Sequence, residues 1–474
     1  IYFQVGINFM KAEDQGFAAQ AGFTVLTKFV KENTSSSPKW KFDKIKINDI
    51  SLDVRTQAFT LAGYVIFREN DPIYGTGFSG GADLGLKSLN LQVRLNCIFG
   101  AKDDYKYFYV DGMVALPTPV VIGTGVALYR FMGGLYYHMK QPEGNTGKLY
   151  TSAFSANTPP NYIPDNTIGI GFKAGVTIGL VGKEDAFNAD VALEVQFNDP
   201  SAGGGLSLIK FTGDCFLMTS IHDREGKTYT QVPVGAFIYI GYDFNKPEFH
   251  AILNVAINYD GIQGQMNSVL HIDPQDWYVY IGKPSQRGYL NIYDVATLSS
   301  YFMVGTKIEP MPDLPPPIAD YFGKPNHRND GDIQNAKGFA FGAELNTSAQ
   351  NSFGFDFFNV YGNVSIAIGF DVMLQKFPPS YKCSNTNKTP GFKGWFVKGD
   401  LYGYLDASVG IKGSCKLGSF DEKICSFSGA MLLYGELPKP SYIEGHVACE
   451  YKVLGGLKKG NFDFDFKKGT RCEG

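Results

Sequence analysis

WYVYIGKPSQRGYLNIYDVATLSSYFMVGTKIEPMPDLPPP, residues Trp277 to Pro317, shows how this chain is built. Trp277, Val279 and Ile281 alternate with Tyr278 and Tyr280, the period of a β-strand. Gly282 to Gly288 turns the chain, and Leu290 and Ile292 then alternate with Tyr289, Asn291 and Tyr293. The spacing predicts a hairpin with a loop of about five residues. Asp294 is placed to cap a short helix over Val295 to Met303. Pro310, Pro312 and Pro315–Pro317 predict an extended, polyproline-like connector. Two functions are open to the stretch: a ligand groove contacted by Trp277, Arg287 and Tyr289, or a packed hairpin leading into a rigid connector.

The same alternation recurs on both sides. Leu91, Val93, Leu95, Cys97 and Phe99 share one face opposite Gln92, Arg94 and Asn96. Phe172 to Leu180, Val191 to Phe197, Ile209 to Leu217 and Phe249 to Ile257 repeat the pattern. Such strands predict half-buried sheets with the apolar side, Cys97 included, in the core. The apolar register slips after Asn48-Asp49, which predicts a β-bulge. With 38 Phe, 28 Tyr and 56 Gly in 474 residues and few helix-forming runs, the fold expected is all-β, mainly antiparallel, in extended or sandwiched sheets with a few short helices. The proline run divides it into an N-terminal β-rich region (1–305), a connector (306–335) and a C-terminal cysteine-containing β region (336–474).

A net charge of −3 gives nucleic acid no electrostatic footing as a partner. No run approaches the ~18 apolar residues of a membrane-spanning helix, so no transmembrane segment is expected. Glycines Gly75 to Gly85 lack the Lys-Ser/Thr ending of a phosphate loop. No nucleophile elbow is present, and the six histidines show no zinc spacing, so no catalytic residue, metal or cofactor is expected. Asp330-Gly331-Asp332 is a fragment of a calcium-loop pattern without its remaining ligands. Gln141 to Asp165 reads as a long surface loop. Tyr136, Tyr137 and His138 form a polar–aromatic cluster suited to stacking on a sugar, or to ordinary sheet packing. Five of seven cysteines fall in the last fifth of the chain, which points to an oxidising compartment. Cys415 with Cys425, and Cys449 with Cys472, are the pairings expected from inward positions on successive strands.

Several stretches together resemble a family: NDPIYGTGFSGG (Asn70–Gly81), FMGGLYYHM (Phe131–Met139), WYVYIGKPSQR (Trp277–Arg287), YFMVG with the following PMPDLPPP, GFDVML (Gly369–Leu374), GWFVKGDLYGYL (Gly394–Leu405) and VLGGLKKGNFDFDFKKGTRC (Val453–Cys472). They are similar to a region of very large secreted or surface proteins of Bacteroidota of the TANFOR type. The resemblance implies an extracellular, β-rich piece of a larger surface polypeptide, and it transfers no catalytic residue. The function expected is therefore non-enzymatic: a secreted or cell-surface structural or adhesive protein that self-associates into a filament or surface assembly. A carbohydrate-binding module or glycoside hydrolase acting on a glycan is one alternative, and a lipid-holding β-groove is another.

Overall fold

The computed structural model describes residues 1–9, 15–31, 37–142, 162–322, 336–354, 358–415 and 418–473. The chain is 73% strand and 4% helix, an all-β antiparallel fold. The Asp330–Asp332 pattern and most of the Gln141–Asp165 stretch lie outside the described residues.

Contacts divide the chain into two units, Ile1–Glu248 and Phe249–Gly474. The first carries β1 (Tyr2–Asn8), β2 (Gly16–Val30), β3 (Lys39–Arg55), β4 (Phe59–Asp71), β5 (Gly75–Leu86), β6 (Leu91–Lys102), β7 (Tyr105–Gly123), β8 (Val126–Tyr137), β9 (Met139–Lys140), β10 (Ile163–Pro164), β11 (Ile168–Leu180), β12 (Phe187–Asn198), β13 (Leu206–Leu217) and β14 (Val234–Asp243). The second carries β15 (Glu248–Tyr259), β16 (Ile262–Ile272), β17 (Trp277–Ile281), β18 (Gly288–Ile292), β19 (Ala296–Ile308), α1 (Pro316–Phe322), β20 (Ala336–Gly354), β21 (Phe358–Lys376), β22 (Trp395–Cys415), β23 (Gly418–Leu437), β24 (Tyr442–Val453) and β25 (Lys458–Gly469).

Each unit is a meander in which a strand pairs antiparallel with the next. In the first, β1 to β8 follow in order and β8 pairs β11, which leads through β12 and β13 to β14. β9 and β10 form a small separate sheet. The second unit runs from β15 to β25 by the same rule.

One step departs from the rule. β17 and β18 do not pair with each other as a hairpin. Both lie between β16 and β19, β17 against Ser268–Ile272 and β18 against Ile262–Gln265. They form one strand position in two pieces, with residues 282–287 looping out. The expected helix at 295–303 is instead the start of β19: alternating Leu298, Ser300 and Phe302 match a pleat, and Asp294 sits in a turn with φ 53°. The proline segment is extended only up to its last three prolines. Pro316 and Pro317 open α1, where proline's missing N–H and fixed φ cost nothing. β19 and β20, on either side of the proline segment, pair directly from Ala296↔Thr347 to Gly305↔Gly338 and lie in one unit. The bulge expected after Asn48 is present: Gly22 opposes Asp49 and Phe23 opposes Ile47, leaving Asn48 extra.

Several glycines and tyrosines are paired across strands. Tyr136 faces Gly171 across β8 and β11, Tyr107 faces Gly100, Tyr402 faces Gly369 and Tyr361 faces Gly410. Each ring lies over its glycine, where a Cβ would collide with it. A tyrosine laid across the pleat covers the bare backbone that glycine leaves.

The cysteines also differ from expectation. Cys472 bonds to Cys383, with Cα atoms 5.1 Å apart. Cys425 and Cys449 are free thiols, as are Cys97 and Cys215, so neither expected pair forms. Cys425 and Cys449 alternate with the apolar residues of β23 and β24 and share their outer face. Reduction of the Cys383–Cys472 bond, which spans 89 residues, is expected to lower stability by ~2–4 kcal/mol. Denaturant titration with and without reductant measures this, and a non-reducing peptide map must show that linked peptide.

Candidate functional site

The two faces of each unit differ in chemistry: the outer face is aliphatic and Phe-rich, which reverses the sequence expectation, and the inner face mixes buried charged and polar residues with clusters of Tyr, Met and Ile. In β11 the buried positions include Ile168, Gly171, Lys173 and Thr177, while Ile170 and Phe172 are exposed. In β12 the buried positions are Asn188, Ala189, Ala192, Glu194 and Gln196, and Leu193 is exposed. In β6, Leu95 and Phe99 face out while Ile98 is fully buried in a cluster with Tyr107, Tyr109, Tyr136 and Met139. Cys97, on the face of Leu95, is half-buried and outside the core. The second unit repeats the arrangement. Ile366, Ile368 and Phe370 are exposed beside buried Asp371 and Gln375, and Leu401 is exposed beside buried Lys398 and Asp400. A sheet that packs its apolar side in water places these residues the other way round.

The inner face of the first unit carries a buried ionic cluster. Lys173 and Glu194 are direct cross-strand partners on β11 and β12. Lys210 on β13 pairs with Glu194, Nζ to Oε2, at 3.0 Å. The Tyr136 hydroxyl donates to Glu194 Oε1 at 2.6 Å, and Tyr162 donates to both carboxylate oxygens at 2.9 and 3.0 Å. Lys173 Nζ donates to the Tyr109 hydroxyl at 3.1 Å and sits 4.1 Å from the Tyr162 ring centre. Burial and the Glu194 carboxylate push the Tyr162 hydroxyl well up, so it stays a neutral donor.

The second unit has a counterpart around Arg287. Its Nη2 donates to Asp371 Oδ1 at 2.7 Å, Nη1 lies 3.8 Å from Glu344, and the guanidinium stands 5.2 Å from the Tyr301 ring centre. Tyr402 donates to Glu344 at 2.8 Å. The looped-out residues 282–287 deliver Arg287 to this face.

The five residues named from sequence therefore do not form shared contact surfaces. Tyr136 is fully buried on the inner face. Tyr137 and His138 belong to a different cluster, stacked on each other at 3.8 Å, with His138 Nε2 3.0 Å from Asp199 and Nδ1 2.9 Å from the Lys106 carbonyl. Asp199 is held well below the usual carboxylate range by hydrogen bonds from the Ser201 hydroxyl, the Ser201 N–H and His138. Trp277 is exposed on the outer face, whereas Arg287 points inward. No sugar platform or common groove results from these residues.

Strand connections also fold onto the inner faces. Ile318 of α1 is fully buried and packs with Tyr402 and Leu432, and Tyr321 donates to Ser428. In the first unit, the connection 218–233 is pinned by charge. Arg224 grips Asp190 at 2.6 and 2.7 Å, and Glu225 accepts from Arg94 at 3.1 Å and Arg130 at 2.5 Å. This latch borders a cavity of about 490 Å³ lined by Lys87, Gln92, Arg130, His222 and Glu225.

Burial pushes the Glu225 carboxyl up, but Arg94 and Arg130 outweigh it and hold it below its ordinary value. A depressed carboxylate contributes stability above its unfolded pKa of about 4.3 and loses it as pH falls through the lower folded value. The latch is expected to hold through mild acid and to open only in strong acid. Glu225→Gln should mimic that state at pH 7, with amide exchange of residues 218–233 accelerating by the equivalent of about 1–3 kcal/mol. Unchanged protection in that variant would show that the ion pairs do not hold the connection.

Comparison with protein-family models, curated proteins and solved structures returned no match for this chain. No described helix is long and apolar enough to cross a membrane, a statement that leaves strands aside.

Proposed function

We propose that this chain is a membrane-embedded β-sheet protein whose outer face contacts lipid hydrocarbon and whose polar inner face is turned away from it. The observation that carries the reading is the inverted polarity of both meanders. Strands that alternate apolar-out and polar-in are what lipid selects. In hydrocarbon every backbone group needs a partner, and the consecutive antiparallel ladders supply one on both sides of each internal strand. β12, Phe187–Asn198 with Leu193 facing out at its middle, is long enough for the ~9–11 residues that a tilted strand needs to cross the apolar layer. An exposed apolar surface this extensive otherwise marks a large protein interface.

Aromatic placement in the second unit supports the same reading. Trp277 and Trp395 begin strands at the end where the long connections lie. Tyr259, Tyr293 and Tyr451 are exposed at the opposite strand ends. Amphipathic rings at both borders of an aliphatic and Phe-rich band suit the two membrane–water interfaces. The Cys383–Cys472 bond supports a setting outside the reducing cytoplasm.

The test is tryptophan quenching by brominated lipids. Trp40 is 70% exposed and Trp277 is 42% exposed. Protein reconstituted in vesicles should lose fluorescence when bromines are placed near the headgroup end of the acyl chains, and Trp277→Phe should remove part of that loss. A detergent-free, water-soluble particle with no quenching would overturn the proposal. If the outer face were then shielded by other copies, the self-associating surface assembly expected from sequence would take its place.

A further inference from the structure

On the inner side of β15 and β16, three side chains converge that sequence spacing does not connect. His250 and His271 are direct cross-strand partners, so their side chains leave the sheet on the same face. Glu248, two residues before His250 on the same strand, shares that face by the pleat's period. One ligand atom from each of the three lies within 4.8 Å of the others. We propose that Glu248, His250 and His271 form a binding site for a divalent transition metal of the zinc class.

The donor set fits the ion. Two imidazoles and one carboxylate are the ligands that zinc takes at about 2.0–2.2 Å when it keeps a further position open. All three residues are half-buried, so water or a small anion reaches the fourth position. Harder ions such as Mg²⁺ and Ca²⁺ require oxygen shells that this strand pair does not offer.

The surroundings orient the ligands. His271 Nε2 lies 2.7 Å from Asp273 Oδ2. Asp273 is itself fixed by the backbone N–H groups of Gln275 at 2.7 Å and Asp276 at 2.6 Å. That contact sets the imidazole tautomer and assigns Nδ1 to the cation, the carboxylate–histidine–metal arrangement found behind metal-bound histidines. The Tyr278 ring stacks on His271 at 4.7 Å with 14° between planes, which fixes the imidazole plane. These contacts are independent of whether the outer face meets lipid.

The experiment is cobalt and zinc titration of the full chain after treatment with chelator. One equivalent of Co²⁺ should give the visible bands of a four- or five-coordinate N/O site, and Zn²⁺ should displace it. His250→Gln and His271→Gln, with far-UV circular dichroism unchanged, should each abolish the bands. Asp273→Asn should weaken zinc affinity by about 10–100-fold, and His446→Gln should leave it unchanged. Binding that survives in both His250→Gln and His271→Gln, or no stoichiometric binding by the native chain, would overturn the site.

Discussion

Arginine in place of Leu193 is expected to destabilise the lipid-reconstituted protein by about 2–4 kcal/mol. Leu193 lies mid-strand on β12, is 47% exposed, and faces out between Ala174 and Phe211. On a surface bathed in water, such a change is worth within about ±0.5 kcal/mol, because the guanidinium stays solvated. In hydrocarbon it loses its water and has no inward partner to replace it. Leu457→Arg is the control. Leu457 is 85% exposed but lies in the turn between β24 and β25, outside the strands, and its replacement should cost close to nothing. Equilibrium unfolding from vesicles measures both. Equal, small effects at the two sites would remove the lipid reading.

Alanine in place of Glu194 is expected to cost about 3–5 kcal/mol, the range for stripping one partner from a buried ion pair. Glu194 stands between Lys173 and Lys210, with Asp111 the further carboxylate near Lys173, and it also accepts from Tyr136 and Tyr162. Its removal leaves two buried ammonium groups and two tyrosine hydroxyls short of an acceptor. Among the described residues, Lys210 keeps its contact to Gln141 Oε1 at 2.5 Å. Adding Lys210→Met to Glu194→Ala should recover part of the loss, because an apolar side chain needs no counter-charge. A loss below about 1 kcal/mol for Glu194→Ala would mean that water reaches the cluster and solvates the lysines.

Strand identity was readable from the chain because pleat periodicity is written in single residues. The alternation through Phe172–Leu180 and the slip at Asn48 both appear at their expected places. The direction of burial was not readable, because a period of two separates residues into two sets without saying which set is inside. Assigning the apolar set inward is the rule for a half-solvated sheet, and buried Lys173, Glu194, Asp371 and Lys398 reverse it. Register was the second obstacle. Nothing in the numbers 250 and 271 connects the two histidines until the β15–β16 turn at Asp260-Gly261 fixes who faces whom. Likewise Gly282 to Gly288 reads as a hairpin turn, yet its ends stay in one strand position because β16 and β19 continue past both. Seven cysteines admit many pairings, and Cys383 lies too far along the chain from Cys472 for strand order to favour it.

The bond between Cys383 and Cys472 also has a topological consequence. It joins the connection before β22 to the segment after β25, so these four strands lie within a covalent ring. A protease that cuts once at the Leu454–Leu457 turn opens the ring but releases no fragment. The nicked molecule keeps its mass under non-reducing conditions and divides only when the thiols are regenerated. The same ring keeps the last strands of the sheet at high local concentration after a break, so β25 can re-pair with β24 as an intramolecular event.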